Sequence, residues 1–361
     1  MKIVIDARFT RTDHHDGISR YGASLIAATA KVADVEMLIS DRRQLALLPD
    51  VPYTLINSPL SPLELFVARR VNGLGADVVV CPMQTMGTWW RNYGLVLTLH
   101  DLIYYEHPAP PGFLPAPVRL LWRLYHKAFW PQRVLLNRAD TVATISSTTE
   151  ALMAKYRLTK RPVRIISNAP QPDQVPRDAT TGADRSIVYM GSFMPYKNVE
   201  TMVAGMATLP GFTLHLLSRI TPQRKAELEI LAPPGADIVF HNGVSDEEYD
   251  ALLRRATALV SLSRAEGYGL PLVEAMAVGT PVIASDIPIF REVGGDTAAY
   301  VDPASASDFA AAVLALADGE HWQDVSRRSV ARAGMFSWDE SARQLLVVAE
   351  EIVARRKRGQ R

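Results

Sequence analysis

"SRAEGYGLPLVEAMAVGTPVIASD", Ser263 to Asp286, decides how this chain is read. The run just before it, Ala258–Leu262, is apolar and short, as a buried strand is. Leu270–Val278 carries its apolar residues at helical spacing. Gly267-Tyr268-Gly269 therefore falls on a strand-to-helix turn, where free backbone N–H groups and the positive end of the helix dipole point outward. That arrangement suits a diphosphate, and glycine there permits positive φ and close approach. Two carboxylates flank the turn, Glu266 in the loop and Glu274 in the second helical turn. Taken alone, such a pair is more often a solvated loop residue and a surface helix residue. The third glycine of a dinucleotide fingerprint is also missing, with Leu272 in its place.

Working outward, the same alternation of short strand and longer helix fills the chain, which predicts parallel sheets with crossover helices. Strands are expected at Lys2–Asp6, Val35–Ile39, Tyr53–Ile56, Asp77–Cys81, Leu95–Leu99, Thr141–Ile145 and Val163–Ile166. A second set is expected at Ser186–Met190, Thr213–Leu217, Asp237–Phe240, Ala258–Leu262 and Pro281–Ser285. Between them "NAPQPDQVPRDATTGADRS", Asn168 to Ser186, is rich in proline and polar residues and reads as a connector. The expected division is a first domain over 1–170, a linker over 171–185, a second domain over 186–336 and a final helical segment over 337–361. Ligands of such sheets sit outside the carboxyl ends of the strands, where strand order reverses. The basic end "RRKRGQR" reads as a solvated, frayed terminus.

A hydrophobic share of 48% and a charged share of 21% mark a globular protein, and a net charge of +1 gives no global reason to expect nucleic acid as a partner. Cys81 is the only cysteine, so no intrachain disulfide forms, which fits a reducing cytosol. The chain opens straight into a strand-like run, and no apolar stretch reaches membrane-spanning length. A cytoplasmic protein is expected.

Three further stretches hold candidate site residues. "YMGSFMPYKNVE" follows the first strand of the second domain and offers Gly191 and Ser192 in a turn, then Lys197 before a helix that Asn198 is expected to cap. A lysine there can neutralise phosphate, although a cation at a helix start opposes the dipole. "DGISRYGASLIAA" places Gly17 between the first strand and an amphipathic helix, where a glycine-bearing loop can approach a donor ligand and a plain turn explains it almost as well. "VLTLHDL" puts His100 at the carboxyl end of a buried strand, where ligand contact and a structural role are about evenly matched.

This combination resembles the family-4 retaining glycosyltransferases of the GT-B fold: the Gly17 loop, the His100 strand end, Gly191 to Lys197, the two glutamates eight apart, and "GTPVIASDIPIFREVGG" on to Trp338. The resemblance implies two doubly wound Rossmann-like domains facing a cleft, with the last helix returning towards the first domain. It implies that Glu266 binds donor-sugar hydroxyls, Glu274 the ribose, and backbone at Tyr268, Gly269 and Leu270 the phosphate or sugar. Lys197 would pair with the diphosphate, His100 would approach the sugar, and backbone near Gly243 and Val244 would meet the base. His100, Lys197 and Glu266 are thus the candidate catalytic residues. Many members carry an arginine beside the glycine or before the lysine, where this chain has Ser192 and Tyr196. "DGISRYG", "TLHDLIYYEHP" and "YKN" look like bacterial mannosyltransferases, which makes GDP-mannose the expected donor, with UDP-glucose or UDP-N-acetylglucosamine as alternatives.

No Asp-x-Asp occurs, so no metal or other cofactor is expected. A nicotinamide dehydrogenase would need Gly-x-Gly-x-x-Gly after the first strand, where "DHHDGISRYG" does not match. A nucleotide-sugar epimerase or a non-catalytic sugar-binding subunit would keep the same shape. The acceptor is expected to be a glycan or a lipid-linked sugar. "PVRLLWRLYHKAFWPQRVLLNR", Pro117 to Arg138, allows peripheral contact with the inner face of a membrane. Its simpler reading is a helix with its apolar face in the domain core.

Overall fold

The computed structural model describes residues 1–108, 110 and 116–359. It divides into two compact units, Met1–Asn168 with Ser337–Arg361, and Ala169–Phe336.

The first unit holds β1 (Lys2–Asp6), β2 (Asp34–Ile39), β3 (Tyr53–Leu55), β4 (Val78–Cys81), β5 (Gly94–Leu99), β6 (Thr141–Thr144) and β7 (Val163–Ile165). They form one sheet in the order β3-β2-β1-β4-β5-β6-β7, with every pair parallel. Ile3 sits between Val35 and Val78 in the register. β1, β4 and β5 are nearly all apolar because helices cover both faces, and Ile3, Val4, Val79 and Leu95 are wholly buried. The helix Gly17–Ala30 starts where the Asp16 side chain accepts a hydrogen bond from Ser19 N at 2.9 Å. Gly17 is thus the first residue of a capped helix rather than part of a loop.

The helix Trp338–Gly359 belongs to this unit and packs on Gly17–Ala30. Trp338, Ala342, Leu345, Ala349 and Ile352 are buried, one stripe at steps of four and three. Arg355 donates to Thr141 Oγ1 at 2.7 Å and Arg356 to Asn92 O at 2.8 Å, so the basic end is tethered rather than frayed as expected. Cations in the last turn also complement the helix dipole. Gln360 and Arg361, the end of that expected tail, lie outside the described residues.

Within Pro117–Arg138 the sequence expectation is corrected. No residue of the helix Ala116–Tyr125 is buried, and Leu120, Leu121 and Leu124 are more than half exposed. Core contact in this stretch comes instead from the following helix, Trp130–Leu136, through Gln132 and Leu136.

The second unit holds β8 (Asp184–Tyr189), β9 (Thr213–Leu216), β10 (Asp237–Phe240), β11 (Ala256–Ser261), β12 (Val282–Ser285) and β13 (Ala299–Val301), ordered β10-β9-β8-β11-β12-β13 and all parallel. The core gathers Ile187, Leu214, Val260, Ile283, Phe309 and Trp322. The stretch expected as a connector packs on this unit: Arg177 N donates to Val278 O at 3.0 Å and its guanidinium lies 4.5 Å from the Trp322 ring centroid. β13 has no counterpart among the expected strands. In each sheet the first strand lies between the second and the fourth, so strand order reverses at β1/β4 and at β8/β11.

Candidate functional site

In the second unit the loops after β8 and β11 leave the sheet side by side at the point of reversal. Each of the most specific sequence motifs lies on one of them. Lys197 ends a single tight turn, Pro195–Lys197, and Glu266 lies in the loop after β11. Lys197 Nζ donates to Glu266 Oε1 at 2.5 Å, and Ser263 Oγ donates to the same oxygen at 2.8 Å. Both charged side chains are about one-seventh exposed. Such a pair is held by partial desolvation yet remains open to a ligand on one side.

The two loops are also joined through backbone and amide. Arg264 N donates to Tyr196 O at 2.8 Å. Asn198 is buried in the left-handed region at φ 56°, and its Nδ2 donates to Leu262 O at 3.0 Å and Pro303 O at 2.6 Å. It makes no side-chain cap for the helix Val199–Gly205, contrary to expectation, because its amide is spent tying three loops together. Gly191 N donates to Ser218 Oγ at 3.1 Å, and Tyr189 Oη to Ser192 O at 2.7 Å, which fixes the turn after β8.

The helix Leu270–Ala277 begins at Gly269, whose φ is +96°. A Cβ at that position would meet Phe290 Cε1 at 2.8 Å, so both backbone angle and space require glycine. No side chain caps this helix start; Pro271 has no N–H and Leu272 N donates to Gly269 O at 2.9 Å, so of the first three positions it is the Leu270 amide that is left to an anion. Tyr268 is buried, so its side chain packs inward and only backbone faces the turn. Glu274 is 7% exposed, not the surface residue it would be by default. Tyr249 Oη donates to its Oε2 at 3.1 Å. Tyr249 sits on the helix Asp246–Arg255, which follows Gly243 and Val244 and opens with a capping box between Ser245 and Glu248. That box is visible in the sequence, and the Tyr249 contact is not.

In the first unit His100 follows β5. Its Nε2 donates to Pro82 O at 2.7 Å, and its ring meets Tyr21 edge-on at 5.0 Å. Burial holds its pKa below the usual value, against smaller upward pulls from that hydrogen bond and from Asp16. Gly17, one residue beyond Asp16, and His100 therefore share one neighbourhood of this unit. Among the described residues, no group of three or more His, Cys, Asp or Glu side chains is placed to hold a metal.

Comparison with known proteins agrees with this geometry. Residues 173–333 match the family described as Glycosyl transferases group 1, and residues 42–174 match Glycosyltransferase Family 4. The O-antigen chain mannosyltransferase RfbU of Salmonella typhimurium is 25% identical over 80% of this chain and 83% of its own length. The MMP alpha-(1->4)-mannosyltransferase of Mycolicibacterium hassiacum is 33% identical, over 48% of this chain and less than half, 44%, of that relative. In fold, the chain is similar to Anabaena HepE solved with UDP and glucose, with a TM-score of 0.75, 16% identity, and coverage of 97% of this chain and 100% of that one. With one motif-bearing loop on each side of the second sheet's reversal and two adjoining family matches over residues 42–333, the chain belongs to the family-4 glycosyltransferases of the GT-B fold.

Proposed function

We propose that the protein transfers mannose from GDP-mannose to a hydroxyl of a glycan or lipid-linked acceptor, with retention at the anomeric carbon. The observation that carries this reading is the Lys197–Glu266 pair at the β8/β11 reversal, beside an uncapped helix start. A nucleotide sugar needs both polarities there. Its diphosphate takes the Lys197 ammonium and the Leu270 amide, while its sugar hydroxyls donate to Glu266. Donor binding then divides the pair, each partner gaining a ligand group in place of the other.

In the transfer step the bond from the anomeric carbon to the β-phosphate oxygen breaks and the bond to the acceptor oxygen forms on the same face. The acceptor proton passes to the departing phosphate. Charge accumulates on that phosphate, and preorganised Lys197 and the Leu270 amide stabilise it without reorganisation. Glu274, held by Tyr249, is the ribose ligand in this reading, and Gly191, Ser192 and Val244 line the remaining donor contacts. His100, in the first unit, is a further candidate residue of the reaction. The mannosyl choice is supported by the relatives' names and the sequence motifs, and HepE's bound UDP is the reason to test uridine donors.

The test is competitive binding: dissociation constants for GDP and UDP, then for GDP-mannose against UDP-glucose and UDP-N-acetylglucosamine. GDP-mannose is expected to bind tightest. UDP binding tenfold tighter than GDP, about 1.4 kcal/mol, would overturn the donor.

The acceptor reading includes an anionic membrane surface. Among the described residues no helix is long and apolar enough to cross a bilayer. The helix Ala116–Tyr125, however, exposes Val118, Leu120, Leu121 and Leu124, with Arg119 and Arg123 on it and Lys127 and Arg133 beyond. No acidic residue occurs between Glu106 and Asp140. An apolar strip bordered by cations alone fits an anionic lipid surface. Co-sedimentation with phosphatidylglycerol vesicles, abolished by Leu121→Glu and absent with phosphatidylcholine, is the expected result. Failure to bind the anionic vesicles refutes it.

A further inference from the structure

The turn after β9 lies between the two loops that the donor reading assigns to the diphosphate and the base. Leu217 N donates to Tyr189 O at 3.1 Å, and Ser218 Oγ accepts from Gly191 N at 3.1 Å, which ties one side to the end of β8. On the other side Gly243 N donates to Leu217 O at 2.8 Å and Ile220 N to Asn242 Oδ1 at 3.0 Å, which ties it to the end of β10. Arg219 is the residue held in the middle of these four bonds. It is exposed, and among the described residues its guanidinium has no hydrogen-bond or ion-pair partner. Its stem lies on Gly243: a Cβ there would be 3.2 Å from Arg219 Cγ and 3.5 Å from Nε. Gly243, at φ +107°, accordingly leaves room that any other residue would take from the arginine.

The Tyr249–Glu274 bond supplies the direction of the ligand. It sets the helix that begins just after Gly243 and Val244 against the carboxylate assigned to the ribose. A base attached to that ribose reaches Gly243 and the arginine lying on it. Guanine presents two adjacent acceptors, O6 and N7, that match the fork of a guanidinium, whereas the carbonyls of uracil are separated by a donor N–H.

We propose that Arg219 is the side chain that selects guanine over uracil, by a forked hydrogen bond to O6 and N7. This rests on the donor reading given above. It also gives the second unit a side chain for base choice, which backbone contacts at Gly243 and Val244 cannot provide.

The test measures GDP and UDP dissociation constants by calorimetry for the parent, Arg219→Ala and Arg219→Lys. The expected result is a loss of about tenfold in GDP affinity in both variants, the discrimination of a single good bidentate pair, with UDP changed by less than about twofold. Lysine fails to rescue because a point charge cannot fork. Equal losses for both nucleotides, or rescue by lysine, identify a phosphate contact and overturn the proposal. A parent that prefers UDP overturns this proposal and the donor reading together. A parent that prefers GDP, with variants that keep that preference, overturns the role of Arg219 alone.

Discussion

Lys197 Nζ and Glu266 Oε1 are 2.5 Å apart across 69 residues of sequence, and the bond joins the two loops that flank the reversal of the second sheet. Without donor, each charge satisfies the other. The pair therefore holds the two polarities of the site ready, and because both groups are partly desolvated it opens only where a ligand group replaces each partner.

Lys197→Ala is expected to lower transfer activity by about 100-fold or more, the loss typical of removing one preorganised donor, and Glu266→Ala, which removes an acceptor, is expected to lower it as well. Circular dichroism should match the parent, since neither side chain belongs to the core. Steady-state kinetics with donor and acceptor reads the effect, and a variant that turns over at the parental rate removes its residue from the site.

Gly269→Ala should strike folding before chemistry. The residue would take up a left-handed angle at about 1–2 kcal/mol, and its methyl would press on Phe290, which is wholly buried. A total cost of about 2 kcal/mol corresponds to a drop of about 4–8 °C in melting temperature. Calorimetry decides it: a melting point within a degree of the parent means the turn relaxes freely.

Divalent metal should be dispensable. The sequence has no Asp-x-Asp, and in the proposed reading Lys197 supplies the cation for the leaving phosphate. Transfer rates are expected to be unchanged in excess chelator. Loss of activity that magnesium or manganese restores would contradict this.

His100 predicts a pH dependence of stability. Its folded pKa lies below the ordinary value of about 6.5, so between the two the unfolded chain holds a proton that the native chain lacks. Stability from this group is complete above about pH 6.5, falls as pH drops towards the folded pKa, and levels off below it. His100→Gln should flatten part of the loss between neutral and mildly acidic pH in denaturant titrations. Parallel curves for parent and variant would show that the imidazole titrates normally.

Much of the fold is legible in the sequence because parallel strands buried on both faces are nearly pure apolar runs. β1 and β10 match their expected limits, and the other expected strands differ by one or two residues at one end or, for β8 and β11, at both. β13 escapes because Ala299-Tyr300-Val301 is a three-residue edge strand, too short for any periodicity. The site divides the same way. Lys197, Glu266, Gly269 and Glu274 announce themselves by position relative to strands and helix starts. Tyr249, Ser263 and Arg219 do not, because each acquires its neighbour only when loops from different strands are brought together. Asn198 misleads for a related reason: before a helix it reads as a cap, and its amide is instead claimed by Leu262 and Pro303.

The helix Trp338–Gly359 gives the molecule an order of assembly. Ile352 lies against Gly94 of β5, where even a methyl would not fit, and Tyr21 meets Trp338 edge-on. The first unit thus lacks part of its covering until its last segment emerges from the ribosome, after all of Ala169–Phe336 has been made. At about 5–20 residues per second, that intervening stretch holds the first sheet half-dressed for on the order of ten to thirty seconds. The second unit, continuous in sequence, is complete earlier. A nascent chain of this protein finishes its second unit first and closes its amino-terminal half last.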